Sequence, residues 1–161
     1  MKLLRHLSVS LLMCFSLVSA HAQYCIPQYI NDPYIGISDV QVNSLINYGT
    51  YFNDAGYVLY PPEVFSTYLT IGQNYPLQLS STGPDYGSFS LWIDLNDDFT
   101  FSEDELMFHA EGSNLVSSML SIPDNSDFIG PKRMRIMYNV VEGAIFPCGW
   151  QYTSGETEDY T

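Results

Sequence analysis

The sequence predicts an all-β fold, a β-sandwich or jelly-roll-like domain of about eight short antiparallel strands with little or no helix after the leader. Three observations lead there. Helical periodicity is almost absent beyond the first 22 residues. Short runs rich in Tyr, Phe, Val, Ile and Thr are separated by Gly, Pro, Asn and Asp. Several of those runs alternate with a period of two, the mark of a half-buried strand. The candidate strands are residues 40–48, 66–70, 75–80, 87–94, 106–110, 114–122 and 132–139, with a last one beginning near Glu158 and cut short by the C-terminus. Tyr75, Leu77 and Leu79 share one face. Met134, Ile136 and Tyr138 share another, opposite Arg133, Arg135 and Met137. Ile71-Gly72-Gln73-Asn74 lies at hairpin distance between two runs, and Thr82-Gly83-Pro84-Asp85 marks a second turn.

The first 22 residues read as a secretory signal peptide. Lys2 and Arg5 open it, residues 11–18 form a short apolar core, and Ala20-His21-Ala22 is a small-x-small cleavage site. A lipoprotein reading with Cys14 as the acylated residue is disfavoured by the bulk of Met13 and by a cut that would split the apolar run. Cleavage leaves residues 23–161 as one domain of about 140 residues, enough for a full core. It also leaves three basic residues against eighteen acidic ones, hence a net charge of −15. So negative a surface repels nucleic acid and anionic lipid and attracts cations. No further apolar stretch is long enough for a membrane-spanning helix. Cys25 and Cys148 remain, an even number in an oxidising compartment, and read as one disulfide rather than two buried thiols. In the chain-entropy picture, closing a loop of on the order of 100 residues contributes ~4.7 kcal/mol.

A family resemblance rests on an ordered set of motifs. The ending Gly155-Glu156-Thr157-Glu158-Asp159-Tyr160-Thr161 resembles the signature of the GEVED domain family, with Thr157 where the family's name has Val. Tyr24-Cys25, Trp92-Ile93-Asp94-Leu95-Asn96, Ile122-Pro123, Arg133-Met134-Arg135 and Pro147-Cys148-Gly149 follow in the expected order, so the likeness runs from Tyr24 to Thr161. The resemblance implies a β-rich extracellular module of bacterial multidomain proteins, set beside peptidase or adhesion-type domains and upstream of a secretion or sorting domain. It implies a fold and a location more than an activity.

Residues 94–105 carry the most suggestive chemistry. Asp94, Asn96, Asp98 and Glu105 stand at positions 1, 3, 5 and 12 of an EF-hand-like loop, and Thr100 would offer its carbonyl at position 7. A hard cation wants such oxygens, and calcium is the candidate cofactor. Position 6, normally a glycine at φ > 0, is Phe99, where relatives resembling this chain commonly carry Asp-Gly. The competing reading is a solvated acidic turn with Trp92 and Phe101 as core residues. Lys132, Arg133 and Arg135 are the only basic residues left after cleavage. Arg133 and Arg135 on one strand face are expected to pair structurally with Glu156, Glu158 and Asp159 on a neighbouring strand.

Catalytic patterns are missing from the sequence. His109 is the one histidine left after cleavage and reads as an ordinary strand residue, and no HExxH or GxSxG string occurs. Thirteen Tyr, nine Phe and two Trp exceed what a core needs. Tyr48, Tyr51, Phe52, Tyr57 and Tyr60 crowd one stretch, and Trp150 and Tyr152 lie beside Cys148, either as glycan or protein platforms or as sandwich-edge packing. The expected function is therefore a non-catalytic extracellular accessory or adhesion-type module, calcium-stabilised if the cation reading of residues 94–105 holds. Its partners would be other domains of its own polypeptide and an extracellular glycan or protein, with no nucleic acid and no membrane insertion. The alternatives are a carbohydrate-binding module and, from another class, a hydrolase with convergent carboxylates.

Overall fold

A computed structural model of the protein describes residues 23–30, 34–50, 56–140, 146–149 and 154–161. Residues 1–22, the expected leader with Lys2, Arg5 and Cys14, lie outside them, as do Tyr51, Phe52, Trp150 and Tyr152. Among the described residues nine strands form two sheets: β1 (Ile37–Val42), β2 (Leu45–Tyr48), β3 (Tyr57–Leu59), β4 (Asn74–Ser81), β5 (Ser88–Ile93), β6 (Leu106–Glu111), β7 (Leu115–Ser121), β8 (Met134–Asn139) and β9 (Gly155–Tyr160). The first sheet runs β2-β1-β4-β7 and the second β3-β9-β8-β5-β6. No helix among the described residues is long and apolar enough to cross a membrane.

The core lies between the sheets. Val40, Val42, Leu77, Leu79 and Val116 from the first meet Phe89, Leu91, Ile136, Tyr138 and Tyr160 from the second, all of them buried. Strands β2 and β4 of the first sheet alternate, because the sheet's other face meets solvent. The central strands of the second sheet do not alternate: β5, β8 and β9 are buried at every residue. Their outer face is covered by a second cluster in which Trp92, Phe101 and Met137 pack with Tyr24 and Tyr29.

Four expectations need correction. Residues 40–48 are two strands, because Asn43 takes a left-handed φ of 51° and turns the chain into a β1–β2 hairpin. Residues 66–70 join no sheet: β4 is already flanked by β1 and β7, so no edge is left for the hairpin expected at residues 71–74. The strands are not all antiparallel, since β3, a ninth strand the sequence reading missed, pairs with β9 in parallel through Tyr57–Thr157 and Leu59–Asp159. The last strand begins at Gly155, three residues ahead of Glu158, and pairs with β8 from Asn139–Gly155 to Met134–Tyr160.

Gly155 shows why that strand can begin where it does. Its φ is +150°, and a Cβ there would fall 2.1 Å from the Tyr138 carbonyl oxygen. Only glycine lets β9 approach β8 so closely at this point. Gly83 and Gly87 play a related part on the other side of Tyr138, where any side chain would strike its ring.

Candidate functional site

β8 places Arg135 on the covered outer face of the second sheet, with 0% exposure. Nε donates to Asp159 Oδ1 and Nη2 to Asp159 Oδ2, each at 2.8 Å, forming a bidentate fork. Nη2 also donates to the Cys25 carbonyl at 2.8 Å, and Nη1 to the Pro147 carbonyl at 2.7 Å, with Cys25 Sγ 3.3 Å away. All five guanidinium N–H groups are therefore directed at acceptors. The Phe101 ring lies 4.6 Å beneath the guanidinium carbon. Cys25 and Cys148 form a disulfide with Cα atoms 5.5 Å apart across 123 residues of sequence. One buried arginine thus ties two central strands to both ends of the disulfide clasp.

Of the three acids expected to meet arginines, only Asp159 does. Arg133 Nη1 stands 3.8 Å from it as well, and the Tyr57 hydroxyl donates to it at 2.9 Å. Burial, with the Asp159 charge beside it, pushes the Tyr57 hydroxyl up to about 12. Glu156 and Glu158 lie on the opposite face of β9, because period-2 alternation turns them into the sandwich. Glu156 accepts from the Ile37 backbone N–H at 2.9 Å. Glu158 accepts from the Tyr160 hydroxyl at 2.6 Å and the Tyr60 hydroxyl at 3.2 Å, while Asn47 donates to the Tyr160 hydroxyl at 3.0 Å. Burial, with Glu156 adding repulsion, pushes the Glu158 carboxyl up to about 8. Thr157 uses the hydroxyl that Val lacks: it lies 2.7 Å from the Tyr29 hydroxyl.

The acidic loop is organised by its own carboxylates. Buried Asp94 accepts from the Asp98 and Phe99 backbone N–H groups at 3.3 and 3.1 Å and from the Tyr24 hydroxyl at 2.5 Å. Burial and the Asp94 carboxylate hold that hydroxyl's pKa well above the usual tyrosine value. Asn96 Oδ1 accepts from the Asp98 N–H at 3.0 Å. Asp98 Oδ1 accepts from the Thr100 hydroxyl and N–H at 2.6 and 2.8 Å, which hold its carboxyl below the ordinary range. Glu105 is buried and closes the loop through Leu95 N–H and Ser102 N–H, both at 2.9 Å. Lys132 caps the loop from outside by pairing with Asp97. Asp97 and Phe99 both take left-handed φ, 59° and 66°, so the chain does turn at position 6 although no glycine stands there. The Phe99 ring packs 5.3 Å from Tyr24. Among the described residues no three His, Cys, Asp or Glu side chains gather as a metal-holding group.

The aromatic stretch divides. Tyr57 and Tyr60 are half-buried structural donors, whereas Tyr48 is exposed on the first sheet. One array escaped the sequence reading because it depends on register: β5–β6 pairing sets Ser90 opposite His109. Ser90 Oγ lies 2.7 Å from His109 Nδ1, and His109 Nε2 lies 3.2 Å from Glu111. The order imitates a nucleophile relay, but Ser90 is buried, with 1% exposure.

The family comparison lands on the same framework. Residues 88–161 match the family model of the GEVED domain. No curated protein and no solved structure matches the chain. The matched segment runs from the start of β5 through Arg135 to the buried acidic strand, so the stretch Ser88–Thr161 belongs to the GEVED domain family.

Proposed function

We propose that the chain is a non-catalytic extracellular module, an accessory or adhesion-type unit of a larger secreted protein. The observation that supports this reading most is the use made of the signature strand. Its three acids, the groups most able to do chemistry, are fully buried and spent on Arg135, backbone N–H and tyrosine hydroxyls. The disulfide clasp fits an oxidising compartment. Expression of the full chain with N-terminal sequencing of the exported product tests the secreted part. Gln23 as the first residue, with no free thiol, is the expected result. Retention of Lys2 together with three titratable thiols, Cys14, Cys25 and Cys148, would overturn it.

A second reading concerns residues 94–105 as a calcium-stabilised loop, with Asp94, Asn96, Asp98, Thr100 and Glu105 as ligands. It is favoured by the left-handed backbone at Phe99, the conformation that position 6 of such a loop requires. Extracellular modules bind calcium at about 10⁻⁴–10⁻³ M. Melting in millimolar calcium against EGTA, for the wild type and Asp98→Ala, decides it. A calcium-dependent rise in Tm that Asp98→Ala removes is expected, and identical wild-type curves would retire the site.

A further inference from the structure

The outer face of the first sheet stands apart from the rest of this acidic molecule. Its four strands, of 6, 4, 8 and 7 residues, contain a single charged side chain, Asp39. Register arranges the outward side chains as a trough. Asp39 and Gln41 of β1 lie beside Ser80 and Gln78 of β4 and form a polar floor. Tyr48 and Ile46 of β2, 61% and 50% exposed, rise along one side. Leu115 and Met119 of β7, 67% and 53% exposed, rise along the other. At about 4.8 Å between neighbouring strands, the walls stand three spacings apart, which leaves room for one chain of sugar rings between them. A depression of ≈ 170 Å³ lies within this face, bordered by Asp39, Tyr48, Gln78, Leu79, Ser80 and Leu115. That is below the ~300–1,000 Å³ of a site that encloses a whole small ligand, and it suits one ring of an extended chain.

The floor is held in place. Asp39 accepts from the Ser80 hydroxyl, from the Ser38 hydroxyl at 2.9 Å and from the Gly49 N–H at 3.3 Å. The Tyr48 hydroxyl donates to Gln41 Oε1 at 3.0 Å, fixing the ring at the trough's edge. Amides, hydroxyls and one carboxylate facing outward beside an aromatic plane are the groups that meet the hydroxyls and C–H faces of a sugar. Charge selects the occupant. A second copy of the exported chain would bring its own formal −15, three basic against eighteen acidic residues, to the contact, and an anionic polymer would meet the same repulsion. An uncharged chain with many hydroxyls meets none.

We propose that the outer face of the β2-β1-β4-β7 sheet binds a neutral glycan chain along its strands, with Tyr48 as the stacking platform and Gln41, Gln78 and Asp39 as hydrogen-bonding partners. The assignment rests on the accessory-module reading and names its ligand class. The test is isothermal titration of the exported chain with cellohexaose, laminarihexaose, chitohexaose and mannohexaose, with polygalacturonate as the anionic control. Saturable binding to at least one neutral hexaose is expected, with none to polygalacturonate. Tyr48→Ala and Gln78→Ala, both exposed positions, should each weaken binding roughly tenfold or more. Leu59→Ala on the far sheet should leave it unchanged. Silence from all four hexaoses, full affinity in both trough variants, or a dimer that Tyr48→Ala dissolves would each overturn the site. Release of new reducing ends during incubation would instead overturn the non-catalytic reading and leave the binding face standing.

Discussion

Replacing Arg135 with methionine should be the most damaging single side-chain change in the described fold. The substitution keeps much of the apolar volume above Phe101 and removes every donor. It leaves Asp159 buried at 0% exposure with the Tyr57 hydroxyl and Arg133, 3.8 Å away, as its remaining partners. It also strips partners from the Cys25 and Pro147 carbonyls on both sides of the disulfide. Breaking a buried pair from one side costs roughly 3–5 kcal/mol. Against a total stability of about 5–15 kcal/mol this is a large share, equivalent to on the order of 10–20 °C in Tm. Arg135→Lys should lose a similar amount, since an ammonium has three donors and no planar fork. Urea denaturation of oxidised protein, followed by tryptophan fluorescence, measures both. The double variant Arg135→Met/Asp159→Leu should recover most of the loss, because two apolar groups need no pairing. If Arg135→Met lies within about 1 kcal/mol of wild type, the reasoning about the buried fork is wrong.

Three further outcomes follow from the same geometry. Glu158 has its folded pKa raised from 4.5 to about 8, so its contribution is fully present below pH 4.5 and is lost as pH rises through about 8. Over that window stability should fall by as much as roughly 5 kcal/mol in the wild type and hardly at all in Glu158→Gln, and matching pH profiles would contradict the assignment. Gly155→Ala should cost several kcal/mol, on the order of a large core defect, because its Cβ meets the Tyr138 carbonyl, whereas Gly130→Ala, with nothing within 4 Å, should cost only backbone strain; equal melting temperatures for the two would argue against the close-approach account. Cys25→Ser/Cys148→Ser should lower stability by about 4–5 kcal/mol through the freed loop, read from the urea midpoint, and an unchanged midpoint would mean that Arg135 alone holds the clasp.

Much of the strand layout was legible because period-2 alternation and turn residues are local signals. Residues 75–80, 87–94, 106–110, 114–122 and 132–139 correspond to β4, β5, β6, β7 and β8 with shifts of a residue or two. Residues 66–70 have the composition of a strand but no partner, and partner availability is not a local property. β3 is three residues long and carries no period of its own, so only its pairing with β9 defines it. At the site, the sequence pointed to Arg133 and Arg135 facing carboxylates, yet it could not choose among the three acids. Parity along β9 puts Glu156 and Glu158 on the face away from the arginines, and register with β8 puts Asp159 opposite Arg135.

The sequence by itself determined the all-β class, the strong acidity, the two cysteines remaining after the expected leader and the family likeness of the acidic ending, because composition, alternation and motif order are written along one dimension. Only the tertiary structure decided what that acidity does. The acids of β9 are framework, two turned into the sandwich and one clamped beneath the clasp. A broad face almost free of charge is assembled from the β1–β2 hairpin with β4 and β7, which come from separate parts of the sequence. Both results come from which strands lie side by side, and long-range pairing energies set that choice.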